Sequence, residues 1–263
     1  MAGVEVSIVL IHGAYHPASA WGRVIPQLQA KNYRCLAPQI CFCGTEKPIA
    51  SWQTCVDQIQ EIIAQETSAG RLVVIVNHSL GGIPGCSAVE GFTKKNPVRL
   101  GKTKGRVVGI IQVTAMAILD AAHLREFYSR VSTSKPNTHR NEIGWKSPPV
   151  DAKQTFYNDL VPEDAEYWCS KLMPNSALLD NCTEGLYPGF KDVPVQCIVC
   201  TKDLRLTTTM QEEFIDVIRA TNGDLTVRKL DSGHCPLLGR PVELAEIIDE
   251  ACMAFSSKCQ QEQ

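Results

Sequence analysis

Three side chains far apart in the sequence are of the types used in nucleophilic acyl transfer: Ser79, Asp203 and His234. Ser79 follows the apolar run 72–76 and sits in Asn77-His78-Ser79-Leu80-Gly81, where a strand gives way to a helix beginning near Leu80. A serine hydroxyl is a poor nucleophile until a base takes its proton. His234 follows the β-rich run 225–230, and a histidine near neutral pH can take that proton and later return it to a leaving alkoxide. Asp203 follows the apolar run 193–200 and is suited to hold the second imidazole nitrogen and stabilise the cation. Asp231 is the rival for that role, but it lies only three residues before His234 and is poorly placed to buttress its ring. Asp192 precedes its strand and belongs to the wrong sheet end, while His78 neighbours Ser79 without needing to point at it.

Acyl transfer also needs hydrogen-bond donors for the developing oxyanion. The amide of Leu80 stands at the start of the helix, and a second amide is expected from the loop after the first strand, at Ala14. Gly13 would let that loop approach the substrate closely. His12 is expected to tie the loop together, and Tyr15 and His16 are candidate substrate contacts.

These groups converge only if a sheet places them at one edge. Residues 6–11 and 33–37 read as strands, and 18–30 as a helix with Trp21, Val24, Ile25 and Leu28 on one face. Ser51 caps a helix whose Trp52, Val56, Ile59 and Ile63 share a face. The helix after Ser79 is expected to reach about Phe92, kinked at Pro84, before a strand at 107–113. After strands at 193–200 and 225–230 come helices at 208–220 and 241–255. This alternation predicts an α/β fold with a mostly parallel central sheet and helices on both faces. Ligands of such sheets gather at the carboxyl ends of the strands, where His12 to Tyr15, Ser79, Asp203 and His234 all fall.

Residues 115–185 break the rhythm, with no buried strand, helical pieces at 122–130, 152–157 and 162–172, and a polar stretch at 132–149. Residues 1–114 and 186–263 read as the core, with 115–185 as a cap. Trp145 in that segment is a further candidate substrate contact. The competing expectation is that Trp145, Phe156, Tyr157 and Trp168 pack the segment's own core.

A 44% hydrophobic, 21% charged chain with net charge -2 gives no reason to expect nucleic acid or an anionic membrane as partner. The basic stretch 93–106 has no interleaved aromatic and reads as a solvated loop. No apolar run is long enough to span a membrane. The six histidines lack metal-ligand spacing, Gly101-Lys102-Thr103-Lys104-Gly105 lacks the P-loop pattern, and no dinucleotide fingerprint follows the first strand. No metal or other cofactor is therefore expected. The twelve cysteines form no metal array, and a strand begins as early as Val4, so reduced thiols in the cytoplasm are expected. The expected partner is a small-molecule substrate, and a homodimer stays open.

The Ser79 pentapeptide resembles the nucleophile elbow Gly-x-Ser-x-Gly, with Asn77 replacing the first glycine. Over most of its length the chain is similar to the α/β-hydrolases, in particular to the group of plant methyl esterases and hydroxynitrile lyases. The shared segments are His12-Gly13-Ala14-Tyr15-His16 with Trp21, His78-Ser79-Leu80-Gly81-Gly82, Cys200-Thr201-Lys202-Asp203 and Gly233-His234. The resemblance implies an α/β-hydrolase fold with a helical cap before the sixth core strand. It also implies a triad of Ser79, Asp203 and His234 and oxyanion amides at Ala14 and Leu80. The lyases of that group carry a lysine just after the histidine, where this chain has Cys235, so cyanohydrin cleavage is not expected. The segment containing Asn141-Glu142-Ile143-Gly144-Trp145 differs from the plant enzymes and resembles uncharacterised fungal α/β-hydrolases, some of secondary metabolism. The expectation is a serine hydrolase that cleaves a small to medium, fairly apolar carboxylic ester or lactone through an acyl-enzyme. The alternatives are a non-hydrolytic lyase or cyclase using the same triad, and a ligand-binding pseudoenzyme.

Overall fold

The computed structural model describes residues 5–133 and 138–261. Val4, where the sequence suggested an early strand, and part of the polar stretch 132–149 lie outside them. The chain begins with β1 (Val6–Ile11), a 3₁₀ turn (Ala18–Arg23), α1 (Ile25–Gln29), β2 (Arg34–Leu36) and α2 (Trp52–Ser68). It continues through β3 (Leu72–His78), a 3₁₀ turn (Ser79–Gly81), α3 (Gly82–Ser87) and β4 (Arg106–Val113). A mainly helical segment follows: α4 (Ala121–Thr133), β5 (Trp145–Lys146), α5 (Ala152–Phe156), α6 (Pro162–Ser170) and β6 (Asn175–Ser176). The last elements are β7 (Val195–Cys200), α7 (Thr208–Thr221), β8 (Leu225–Leu230), α8 (Pro236–Gly239) and α9 (Pro241–Gln261).

Six strands form one sheet in the order β2-β1-β3-β4-β7-β8, and every neighbouring pair is parallel. Counted along this chain, the strand that follows the helical segment is the fifth of the sheet. Alternate residues feed two cores. Val9, Ile11, Val73 and Ile75 pack on one face, while Ile8, Leu10, Val74 and Val76 pack on the other. Each such side chain removed from water contributes about 1.5–3 kcal/mol. The sheet is therefore held from both sides, and β3 is buried along its whole length. Strand order runs outward from β1 to β2, then restarts on the other side of β1 with β3. The loops leaving β1 and β3 diverge at this switch point and open a crevice between them.

Three elements differ from the sequence expectations. The helix expected over 18–30 is divided between the 3₁₀ turn and α1, because Pro26 fits the first turn of α1 but could not sit inside a continuous helix. The helix after Ser79 stops at Ser87, and turns leading through Gly91 at φ 86° replace its expected end. Because α3 starts at Gly82, Pro84 falls in its first turn, where no intrahelical amide bond is lost. The third difference lies within 115–185, where β5 and β6 pair antiparallel over two residues each. Two residues are too few to show a sequence period. Among the described residues, no helix is long and apolar enough to cross a membrane.

Candidate active site

Ser79 follows β3 at φ 53°, in the left-handed region that a non-glycine residue enters at a cost. Its Oγ lies 3.0 Å from Nε2 of His234. The other ring nitrogen of His234, Nδ1, lies 2.8 Å from Oδ2 of Asp203. An ionised carboxylate only accepts, so Nδ1 carries the proton and the Nε2 lone pair faces the serine hydroxyl. Three loops after β3, β7 and β8 thus deliver one continuous hydrogen-bonded chain. Ser79 is 8% exposed, Asp203 4% and His234 1%, so the serine is the member nearest solvent.

Asp203 is held by four donors. Oδ2 accepts the Thr114 hydroxyl at 2.6 Å as well as His234, and Oδ1 accepts the amides of Arg205 at 2.7 Å and Leu206 at 2.8 Å. Burial alone would raise its pKa. The neighbouring His234 and these hydrogen bonds outweigh that effect and hold the carboxyl below its ordinary range. Asp231 is instead an exposed surface group paired with Lys202 at 2.8 Å. Thr114 immediately follows β4, and its backbone is in the left-handed region at φ 39°. It was not among the sequence candidates, although it meets the same criterion as Asp203: a polar side chain just beyond a strand end.

His78 does not face Ser79. Its Nε2–H donates to the carbonyl oxygen of His234 at 2.8 Å, which ties the elbow to the histidine loop. Burial, and then the nearby His234 and His16, push its pKa well below the ordinary value, so the ring is neutral. The loop after β1 passes close by. A Cβ at residue 13 would lie 2.8 Å from His78 Nδ1 and 3.0 Å from Ser79 Cβ, so only glycine allows this approach. His12 braces the same loop. Its Nδ1–H donates to the Gly13 carbonyl at 3.0 Å, and its Nε2 accepts the Ile40 amide at 2.8 Å. Burial lowers the His12 pKa to about 4.

The Ala14 amide donates to no acceptor among the described residues, and the Leu80 amide lies in the first turn of a 3₁₀ helix. Both residues line one cleft with Ser79. The cleft has about 660 Å³ of unfilled space counting its open mouth. Phe156 from α5 also lines it and stacks on His234 with ring centroids 5.5 Å apart. A wider groove bordered by Lys95, Arg106 and Lys258 lies elsewhere and contains none of Ser79, Asp203 or His234. Among the described residues, no group of three His, Cys, Asp or Glu side chains could hold a metal ion.

The three candidate substrate contacts are placed differently. Tyr15 lines the cleft at φ 65°, with its amide donating to Oδ1 of Asn175 at 3.0 Å. His16 does not line it. Its Nδ1–H donates to the Ala14 carbonyl at 2.7 Å, and its Nε2 accepts the Tyr157 hydroxyl at 2.9 Å. Burial pushes its pKa down to about 3. His16 therefore stays neutral and supports the Ala14 peptide from behind. Trp145 does not line the cleft either; its strand neighbour Lys146 does. Adjacent residues of a strand point to opposite faces, so the two cannot share that role. Trp52, Phe156 and Asn175 also reach the cleft.

Two residues of the helical segment grip the loops carrying His234 and Asp203. Asp159 Oδ2 accepts the Gly233 amide at 2.7 Å, and the Asn158 side-chain amide donates to the Lys202 carbonyl at 3.0 Å. A Cβ at residue 233 would lie 2.4 Å from Asn158 Oδ1 and 2.6 Å from Asp159 Oδ1. The clamp therefore requires the glycine before His234.

A strained serine turn at a parallel-sheet switch point, hydrogen-bonded to a histidine and an aspartate from the loops after β8 and β7, defines a class of fold and site. Residues 8–247 match the Alpha/beta hydrolase family, and the chain belongs to it. It is 28% identical over 259 residues to the probable hydrolase R7 of Phoma sp., an alignment covering 92% of this chain and 96% of that protein. It is 27% identical to methylesterase 3 of Arabidopsis thaliana, covering 95% and 97%. The solved structure of a pyrethroid hydrolase from Sphingobium faniae JZ-2 superposes with a TM-score of 0.72 at 19% identity, covering 93% of this chain and 96% of that one.

Proposed function

We infer that the protein is a serine hydrolase that cleaves a small to medium, fairly apolar carboxylic ester or lactone through an acyl-enzyme. The observation that carries this reading is the unbroken chain from Ser79 Oγ through His234 to Asp203, at 3.0 and 2.8 Å. The names of similar proteins, among them a methylesterase and two hydrolases, support it.

In this mechanism His234 Nε2 takes the Ser79 proton as Oγ attacks the substrate carbonyl carbon. The amides of Ala14 and Leu80 receive the oxyanion. Asp203 stabilises the imidazolium, whose proton then passes to the leaving alkoxide. Water enters and His234 deprotonates it. The resulting hydroxide attacks the acyl carbon, and collapse of the second tetrahedral intermediate returns the proton to Ser79 and frees the acid. Residues 115–185 act as a cap, because Phe156, Asn175 and other residues of that segment line the cleft. The substrate is a small molecule and the compartment the cytoplasm, in keeping with twelve unpaired cysteines.

A serine-directed fluorophosphonate should label the protein, and Ser79→Ala should abolish labelling; label retained in that variant would sink the assignment. Turnover in ¹⁸O-water separates hydrolysis from the lyase or cyclase alternative. One heavy oxygen in the released acid is expected, and none would refute hydrolysis.

A further inference from the structure

The acyl-transfer chemistry uses Ser79, Ala14 and Leu80, but another part of the same cleft is charged and has no role in those steps. Lys146 lines the cleft from β5 with its side chain only 15% exposed. Its Nζ donates to both oxygens of Asp180 at 2.8 Å, and Asp180 also accepts from Arg140 at 2.6 Å. Two cations thus share one carboxylate. Arg205 lines the cleft as well. Its backbone amide is committed to Asp203, but its guanidinium makes no hydrogen bond or ion pair with another described residue.

The reach of this charge is visible at two phenols of the cleft lining. Burial raises the pKa of both Tyr15 and Tyr128, while Arg205 and Arg140 act to lower them and Asp180 acts to raise them. Tyr15 is the residue after Ala14, so the field of Arg205 extends to the loop beside Ser79. Two cations of the lining, Lys146 and Arg205, face one carboxylate, Asp180, which Arg140 also pairs from outside the cleft, whereas Met116, Phe127, Leu179 and Leu206 make other parts of the lining apolar. A guanidinium that is partly withdrawn from water and lacks a partner gains strongly from an anion, and its planar fork fits a carboxylate with two parallel hydrogen bonds.

We propose that the cleft binds esters or lactones bearing a free carboxylate away from the scissile carbonyl, docked on Arg205 beside the Lys146–Asp180 pair. The proposal rests on the hydrolase reading for the scissile end and adds a substrate class to it. A single carboxylate fits better than a phosphate dianion, whose second charge would be brought toward Asp180. The apolar residues that share this lining suit a hydrocarbon body carrying one acid and one ester.

The test uses full-length Ser79→Ala protein, which retains an ester intact. Calorimetry compares monomethyl esters of short linear dicarboxylic acids with the dimethyl esters of the same lengths. The monoester of at least one length should bind about 10- to 100-fold more tightly than its diester. Arg205→Gln should remove that preference, and Arg205→Lys, which keeps the charge but loses the fork, should reduce it. Arg205→Glu should turn the preference toward methyl esters of amino-alkanoic acids. Equal or tighter binding of the diester at every length overturns the proposal, as does a preference that survives Arg205→Gln. Fluorophosphonate labelling of the wild-type protein reports separately on the hydrolase reading. Labelled Ser79 without carboxylate preference overturns only the anion site, and preference without labelling overturns only the hydrolase.

Discussion

Asn77 fills the space that a side chain at residue 85 would need: a Cβ there would lie 1.8 Å from Asn77 Oδ1. The elbow position that is glycine in the usual pattern is therefore occupied, and the glycine stands instead on α3 across from it. The Asn77 side-chain amide donates to Oε1 of Gln112 at 2.8 Å, its register partner on β4. Gly85→Ala should cost about 1–3 kcal/mol by overpacking, and far less when combined with Asn77→Gly. Urea unfolding of the four proteins of the cycle measures this coupling; identical costs in both backgrounds would refute it.

The acid assignment separates two aspartates of similar sequence context. Asp203→Asn should lower kcat by about 10³–10⁴-fold, because the amide no longer enforces the imidazole tautomer. Asp231→Asn should leave kcat within about twofold, since that side chain is an exposed partner of Lys202. A reversed ranking in steady-state kinetics would overturn the assignment of the buried pair.

Thr114 gives a finer test. Thr114→Val removes one of the four donors to Asp203 while preserving shape. The expected loss in kcat is about 10- to 100-fold, with KM little changed, as for one hydrogen bond to a charged group. Thr114→Ser should recover most of it. Failure of serine to rescue would show that the hydroxyl is not what matters.

Acid should destabilise the fold through its buried histidines. His16 titrates at about 3 and His12 at about 4 in the folded chain, against an ordinary 6.5, and burial is the main cause in both. As pH falls below 6.5 the unfolded chain gains protons that the folded chain refuses. Stability is therefore full above that pH and declines toward 3–4 by about 1.4 kcal/mol per pH unit for each ring. Asp203, held below its ordinary 3.8, adds its loss only at lower pH still. Urea midpoints at pH 7.5 and 5 should show the decline, and His16→Gln should make it shallower. A midpoint independent of pH over that range would contradict these assignments.

Ser79, Asp203 and His234 were legible because each follows an apolar strand, and strand ends of a parallel sheet meet at one edge. Ala14 and Leu80 follow β1 and β3, and for the same reason they line one cleft with Ser79. What pattern could not show was direction within short irregular stretches. His16 is polar and beside the cleft, yet Tyr157 and the Ala14 carbonyl hold its ring away. Trp145 and Lys146 form a two-residue strand, and which of them faces inward depends on pairing with residues thirty positions later. Arg205 lies two residues beyond Asp203, but its exposure to the cleft depends on the turn that the Asp203 carboxylate itself organises. Pro26 and Pro84 show the limit for helices, where one residue decides whether a proline begins an element or breaks it.

The clamp of Asn158 and Asp159 on Lys202 and Gly233 means that the helical segment is not a detachable module. An exchange for another protein's segment would alter the cleft wall and simultaneously release the turns bearing Asp203 and His234. Redesign of selectivity in this scaffold therefore has a natural seam: residues of the helical segment before Phe156 can be varied while Phe156, Tyr157, the two-residue staple and the glycine it closes upon are kept. Grafts that cross the seam would trade turnover for altered selectivity even where every new side chain fits its ligand.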